Sequence, residues 1–348
     1  MASEQSVRVA VVGAGGIAER HFGALQANPH AELAAVVDVD EERRTSATQR
    51  FGGIDVATLD ACLDQVDAVY VLTPPSVRKG YALDALSAGK HLFCEKPLAS
   101  TEADAKAIRD AARSAANSGI VSAMGLNMRH RTGWERLRET VRSGRLGKPY
   151  HFWRQRFGTG PGANGKMFGD NWRTDPAFVC GMTVESFSHD ADLLRWIMDD
   201  EIASVSAIVH GTVPDVPAFD NNAHVLFHLR SGGNAVISAS WTARMSFNSC
   251  GVLGEVGTAY TRGSALGNNG IWCSREFHVK TDADEFETVE MIQDDLDHQS
   301  YHRETDDFIA AIRTGSTPRA TIDDGYETLR ISAAVLRSSR EGVPIEIE

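Results

Sequence analysis

Short apolar runs and amphipathic stretches alternate along the first 125 residues. Residues 7–12, 33–37, 68–72, 91–94 and 121–124 are β-rich apolar runs of strand length. Between them, residues 17–27, 41–50, 77–88 and 102–116 repeat their apolar positions at helical spacing. Thr101 and Asp104 open the last of these like a capping box, and Gly119 follows its end. Strict alternation of strand and helix predicts a parallel sheet with helices on both faces.

The pattern changes after about residue 126. Residues 134–143 and 186–197 have helical periodicity, whereas 203–210, 223–230, 234–242, 250–253 and 259–262 are strand candidates. Along 223–230, Val225, Phe227 and Leu229 fall on one face; His224, Leu226, His228 and Arg230 fall on the other. Ser231-Gly232-Gly233 joins this run to the next as a hairpin. Two helices, 301–313 before Gly315 and 323–339, close the chain. The expected division is therefore one domain over residues 1–125 and a mostly antiparallel α+β domain over 126–348.

Composition narrows the function classes. The chain has 348 residues, room for two domains, and its 42% hydrophobic content supplies cores for both. A net charge of -12 argues against general nucleic-acid binding, which needs clustered Lys and Arg. No apolar run reaches the length of a membrane span, and the polar residues 1–6 lead into a strand without a signal-peptide pattern. The five cysteines are scattered, with no C-x-x-C pair, as expected of reduced thiols in the cytoplasm.

Candidate chemistry gathers at strand ends. "GAGGIA" places Gly13, Gly15 and Ala18 in G-x-G-x-x-A spacing, with Gly16 and Ile17 between, after the first strand and at the start of a helix. Gly13 permits the tight turn, Gly15 lets a pyrophosphate approach the backbone, and Ala18 lets helix and strand pack closely. Asp38 ends the second strand 20 residues after Ala18. A carboxylate there accepts both adenosine ribose hydroxyls and repels a 2′-phosphate, so NAD is expected over NADP. Thr73, Pro74 and Pro75 form a rigid loop after the run at 68–72. Glu95, Lys96 and Pro97 end the run at 91–94, at the same carboxyl edge where ligands of doubly wound folds lie.

At these residues the chain resembles the glucose–fructose oxidoreductase, inositol dehydrogenase and MocA family of pyridine-nucleotide enzymes. "GAGGIA", "TPP", "AGKHLFCEKPLA", "GLNMRH", "SGRLGKP", "NWRTDP", "HDADLLRW" and "DDFIAAIRTG" carry the resemblance in family order, from residue 11 to 315. It implies an N-terminal Rossmann domain followed by a C-terminal domain with a large, open, mainly antiparallel sheet. It also implies a cis Lys96–Pro97 bond that aims Lys96 at the reacting oxygen, where its charge favours developing negative charge. Glu95 is implied to hold the nicotinamide side.

A second constellation follows in "CGMTVESFSHDADLLRW". The family pattern is Gly-Gly, then an Asp, a His four residues later, and another Asp; here stand Cys180-Gly181, Glu185, His189 and Asp192. At i and i+4 on one helix, Glu185 and His189 would share a face. His189 is the best general base or acid, because imidazole titrates near neutrality. Asp192 is expected to pack or orient its helix. Cys180 and Phe187 replace usual glycines, and Glu185 replaces a usual Asp; its extra methylene is expected to alter substrate placement. The resemblance further implies cofactor contacts from Trp172 and Arg173, and a cleft lined by Asn127, Arg129, Arg173 and His302. The glycine-rich residues 158–168 are expected to help set specificity.

His298 and His302 lie near Asp294, Asp295 and Asp297, which read as a solvated acidic face; His224 and His228 read as a polar sheet face, and no metal is expected. These features imply an NAD-dependent dehydrogenase acting on a secondary alcohol or hemiacetal of a sugar, polyol, inositol or glycoside, working as a homodimer or homotetramer. A redox-neutral enzyme that retains NAD and a non-catalytic NAD sensor are the alternatives.

Overall fold

The computed structural model describes residues 6–163, 180–263, 275–283, 285–290 and 299–348. Trp172, Arg173, His298 and the acidic residues Asp294, Asp295 and Asp297 lie outside the described residues. Along the first part run β1 (Val7–Val12), α1 (Ala18–Ala27), β2 (Ala31–Val37), α2 (Glu41–Phe51) and β3 (Ile54–Val56). They continue with β4 (Ala68–Val71), α3 (Pro75–Ser87), β5 (His91–Glu95), α4 (Glu102–Ala116) and β6 (Ser122–Gly125). After a 3-10 turn come α5 (Thr132–Arg142), β7 (Pro149–Thr159), α6 (Met182–Glu185) and α7 (Phe187–Met198). Then follow β8 (Ile202–His210), β9 (Asn222–Leu229), β10 (Asn234–Ser240), β11 (Thr242–Gly254) and β12 (Gly257–Arg262). Last are β13 (Glu276–Thr281), β14 (Glu287–Glu290), α8 (Gln299–Thr314), α9 (Ile322–Glu341) and β15 (Ile345–Glu346).

Two compact units result: residues 1–127 with 297–329, and residues 128–296 with 330–348. This differs from the single boundary expected after residue 125, because the chain returns to the first unit. The physical reason lies on α8. Phe308 sets its ring 5.6 Å from that of Tyr70 and 5.7 Å from that of Phe93, in an apolar cluster with Val9, Val11, Phe22 and Ile309.

The first unit is a six-stranded sheet in the order β3-β2-β1-β4-β5-β6, with every described pairing parallel. Strand order reverses beside β1, the topological switch point of a doubly wound fold. Tyr70 and Phe93 stack at 4.5 Å on one face of the sheet. β3 was not legible in the sequence: it has three residues, two of them exposed, and no apolar run.

The second unit is a nine-stranded sheet in the order β14-β13-β12-β11-β7-β10-β9-β8-β15. Its pairings are antiparallel except β7 with β10. The alternation on β9 is as expected: Val225, Phe227 and Leu229 are buried, and His224, Leu226 and His228 are exposed. Gly232 makes its hairpin with φ +91°. β7 lies near the middle of this sheet, yet periodicity does not announce it. Its buried positions include Arg154 and Arg156, which interrupt the apolar alternation that marks a strand.

Candidate active site

Parallel register aligns the chemistry of the first unit. Val12 pairs with Val37 and with Val71, and Val71 pairs with Cys94. The residues that follow each strand therefore leave one edge of the sheet: Gly13, Asp38, the Thr73-Pro74-Pro75 loop, and Glu95-Lys96.

The glycine loop is shaped partly by the protein and partly by space. Gly13 has φ +98°, and a Cβ there would come within 3.1 Å of the Thr73 backbone nitrogen. Only glycine suits both conditions. Gly15 and Gly16 differ: a Cβ on either would meet no protein atom within 4 Å. Their lack of side chain leaves room in front of α1, whose N-cap residue Ile17 provides no side-chain cap. A helix start with no side-chain cap and with open space beside its two glycines fits the pyrophosphate of a dinucleotide. Asp38 borders this loop. Its Oδ2 accepts the Ala14 N–H at 2.7 Å and its Oδ1 accepts the Asp40 N–H at 2.9 Å. A carboxylate has further lone pairs for ribose hydroxyls.

Pro75 opens α3, where its missing N–H costs nothing. Three residues on, the guanidinium of Arg78 is buried and donates to the carbonyls of Thr73, Glu95 and Pro97. Arg78 thus ties the two loops together and holds the chain on both sides of Lys96. The Lys96–Pro97 bond is cis. Glu95 is 4% exposed; its Oε2 accepts the Lys96 backbone N–H at 2.8 Å and its Oε1 lies 3.1 Å from His21 Nε2. Burial alone would push the Glu95 carboxyl up. The hydrogen bond from His21 and the charges of Lys96 and Arg78 outweigh it, leaving the carboxyl below its ordinary value. Neither His21 nor Arg78 was singled out in the sequence. The available signal was a charged or polar side chain inside an otherwise apolar helix face.

The start of α8 also belongs to this unit. Ser300 accepts a hydrogen bond from Asn127 Nδ2 at 3.2 Å, and Tyr301 meets the His21 ring edge-on at 5.5 Å. His302 is half-buried on the next position of that helix.

In the second unit, Glu185 and His189 are 5% and 6% exposed. They do not share one continuous helix. α6 ends at Glu185, α7 begins at Phe187, and Ser186 joins them with φ widened to -119°. Phe187, where a glycine was expected, is fully buried and stacks on Phe227 at 6.3 Å. Asp192 has the orienting role expected of it, pairing with Arg129 at 2.6 Å in a buried fork. Both Nε and Nη2 of Arg129 donate to this carboxylate. Two residues before Asp192, Asp190 is buried between Arg154 and Arg156, with Arg156 Nη2 at 2.6 Å. Burial opposes its ionisation, but the two guanidinium charges prevail and the carboxyl lies below its usual range. This pairing seats α7 on β7.

Among the described residues no group of three or more His, Cys, Asp or Glu side chains could hold a metal ion, and no helix is long and apolar enough to cross a membrane.

A doubly wound parallel sheet with an open glycine loop, an acid after its second strand and a lysine after its fifth defines a dinucleotide-dependent oxidoreductase. Residues 7–122 match the oxidoreductase family with an NAD-binding Rossmann fold, and residues 134–260 match the GFO/IDH/MocA C-terminal domain. The chain belongs to the GFO/IDH/MocA family and is an NAD-dependent oxidoreductase. It is 29% identical to 1,5-anhydro-D-fructose reductase of Ensifer adhaerens, with 98% of each chain covered. It is 25% identical to scyllo-inositol 2-dehydrogenase (NAD(+)) of Bacillus subtilis (strain 168), over 99% of this chain and 97% of that one. The fold also matches levoglucosan dehydrogenase solved with NADH, at a TM-score of 0.86 and 20% identity, covering 99% of this chain and 100% of the other.

Proposed function

We propose that this protein is a dehydrogenase that oxidises a secondary alcohol or hemiacetal carbon of a sugar, polyol, inositol or glycoside. The observation that carries the reading is the setting of Lys96. A Glu95 oxygen holds its backbone N–H, Arg78 holds the carbonyls on either side, and the dinucleotide loops leave the same sheet edge. Two relatives, an anhydrofructose reductase and an inositol dehydrogenase, support the substrate class.

Nicotinamide, when bound, supplies the hydride acceptor. Gly13, Gly15, Gly16, Ile17 and Ala18 would hold the pyrophosphate, Asp38 the adenosine ribose, and Thr73, Pro74, Pro75 and Glu95 the remaining surface, with Trp172 and Arg173 as further contacts. His189 takes the proton of the reacting hydroxyl, and Lys96 stabilises the charge that develops on that oxygen. Glu185 positions the substrate, with Asn127, Arg173 and His302 as additional binding groups. The exposed side chains of Leu226 on β9 and Phe247 on β11 support a homodimer or homotetramer, which light scattering would test.

The deciding experiment follows NADH formation with free NAD against a panel of inositols, sugars, polyols and anhydrosugars. Stoichiometric NADH with one class supports the dehydrogenase. Conversion of substrate without NADH would establish the redox-neutral alternative, and NAD binding without turnover of any class the sensor.

A further inference from the structure

The segment that carries Glu185 and His189 is held at its start by a residue far away in the chain. Asp220 sits in the connection before β9 and is 8% exposed. Its Oδ2 accepts the Thr183 N–H at 2.8 Å and the Thr183 hydroxyl at 2.7 Å. Its backbone carbonyl accepts the Met182 N–H at 2.7 Å. α6 has no cap of its own, because its N-cap residue is Gly181. Asp220 supplies that cap from outside, satisfying donors that the helix start leaves open.

Gly181 is glycine for the same reason. A Cβ there would overlap the Asp220 carboxylate and come within 2.6 Å of the Asp220 backbone nitrogen. Carboxylate and glycine are therefore fitted to each other. From Gly181 the constraint passes directly to a functional residue, since its carbonyl accepts the Glu185 N–H at 3.0 Å. The Ser186 carbonyl in turn accepts the His189 N–H at 3.1 Å.

Asp220 is itself fixed. The next residue, Asn221, donates its N–H to the His210 carbonyl at 3.2 Å and accepts the Trp241 N–H at 2.9 Å. The Asn221 side chain accepts the Thr212 N–H at 3.2 Å and donates to the Thr212 hydroxyl at 2.8 Å. The preceding residue, Phe219, is fully buried and stacks on Trp241 at 6.0 Å. A side chain held this firmly can transmit position to what it binds.

We infer that Asp220 is a positioning residue for the reaction, fixing the Gly181–Thr183 backbone so that Glu185 and His189 keep their working orientation. This rests on the reading of Glu185 and His189 given above. Asn at position 220 can present its amide oxygen to both Thr183 donors, whereas Ala cannot.

The test combines hydrogen exchange with kinetics in the full chain. Asp220→Ala should raise amide exchange across residues 182–189, leave the peptides of β1 and β4 unchanged, and lower kcat by about 10–10²-fold with NAD affinity intact. Asp220→Asn should restore most of both properties. Thr183→Val, which keeps volume and loses the hydroxyl bond, should move both in the same direction by less, and it serves if Asp220→Ala does not fold. Unchanged exchange over 182–189 in the Ala variant overturns the inference, as does raised exchange with kcat unaltered. His189→Asn, measured with the substrate that gives NADH, tests the underlying reading separately. Full turnover there removes the role assigned to His189, while the exchange data still decide whether Asp220 fixes the segment.

Discussion

His21 Nε2 lies 3.1 Å from Glu95 Oε1, a buried pair formed across 74 residues of sequence. The pair holds the Glu95 carboxyl below its ordinary value and so should contribute to the acid behaviour of the first unit. A carboxyl held below its ordinary value stabilises the fold above that ordinary value, and the contribution is lost as pH falls through the folded-state value. His21→Ala leaves burial opposed by the Lys96 backbone N–H and the charges of Lys96 and Arg78 without the histidine, so the Glu95 carboxyl should rise and the acid limb of Tm should move to higher pH. Breaking a buried pair typically costs about 3–5 kcal/mol. Superimposable acid limbs for the wild type and His21→Ala would show that this pair does not govern acid stability.

Arg78 should matter to both cofactor loops at once. Arg78→Met removes donors from three backbone carbonyls, so we expect a loss of about 2–4 kcal/mol and an NAD Kd weakened about tenfold. Arg78→Lys should rescue little, because one ammonium cannot reproduce the planar fork. Calorimetric titration with NAD on the folded variants reads the effect. An unaltered Kd in folded Arg78→Met would show that the loops keep their shape without it.

The loop hydrogen bonds of Asp38 and its proposed ribose contact can be separated. The unmodified protein should bind NAD much better than NADP, and Asp38→Ala should narrow that difference. The same change leaves the Ala14 and Asp40 N–H groups without their acceptor, so the ligand-free protein should also lose about 1–3 kcal/mol. Asp38→Asn retains an acceptor for the loop and should lose discrimination with less loss of stability. Equal affinity of the unmodified protein for both dinucleotides would contradict the assignment.

Glu185→Asp should raise KM or reorder the accepted substrates while leaving NAD affinity unchanged, because shortening by one methylene withdraws the carboxylate. Identical kinetics across every accepted substrate would reduce Glu185 to a helix residue.

With His189 as the proposed base, alcohol oxidation would need its neutral form, so kcat should rise with pH through the histidine range and then level. His189→Asn should flatten that limb and lower kcat by about 10²–10⁴-fold. Lys96→Met should lower kcat with little effect on NAD affinity, since its charge acts most on the developing oxyanion. Retention of the acidic limb in His189→Asn together with its loss in Lys96→Met would exchange the two roles.

Wherever a signal is local, sequence alone determined the outcome. Alternation of period 2 identified β9, the Ser231-Gly232-Gly233 turn identified its hairpin, and the spacing of Gly13, Gly15 and Ala18 marked the turn from β1 into α1. Such signals survive because φ/ψ preference and side-chain direction repeat over a few residues. Tertiary structure alone decided where buried charge is allowed. Arg154 and Arg156 look wrong for a central strand until Asp190 is found beside them, and Arg78 looks like a surface residue until three carbonyls surround it. Likewise Gly181 reads as half of a glycine pair, whereas its requirement comes from Asp220, 39 positions away. A buried polar group is stable only with its partner, and the partner's distance along the chain follows no period.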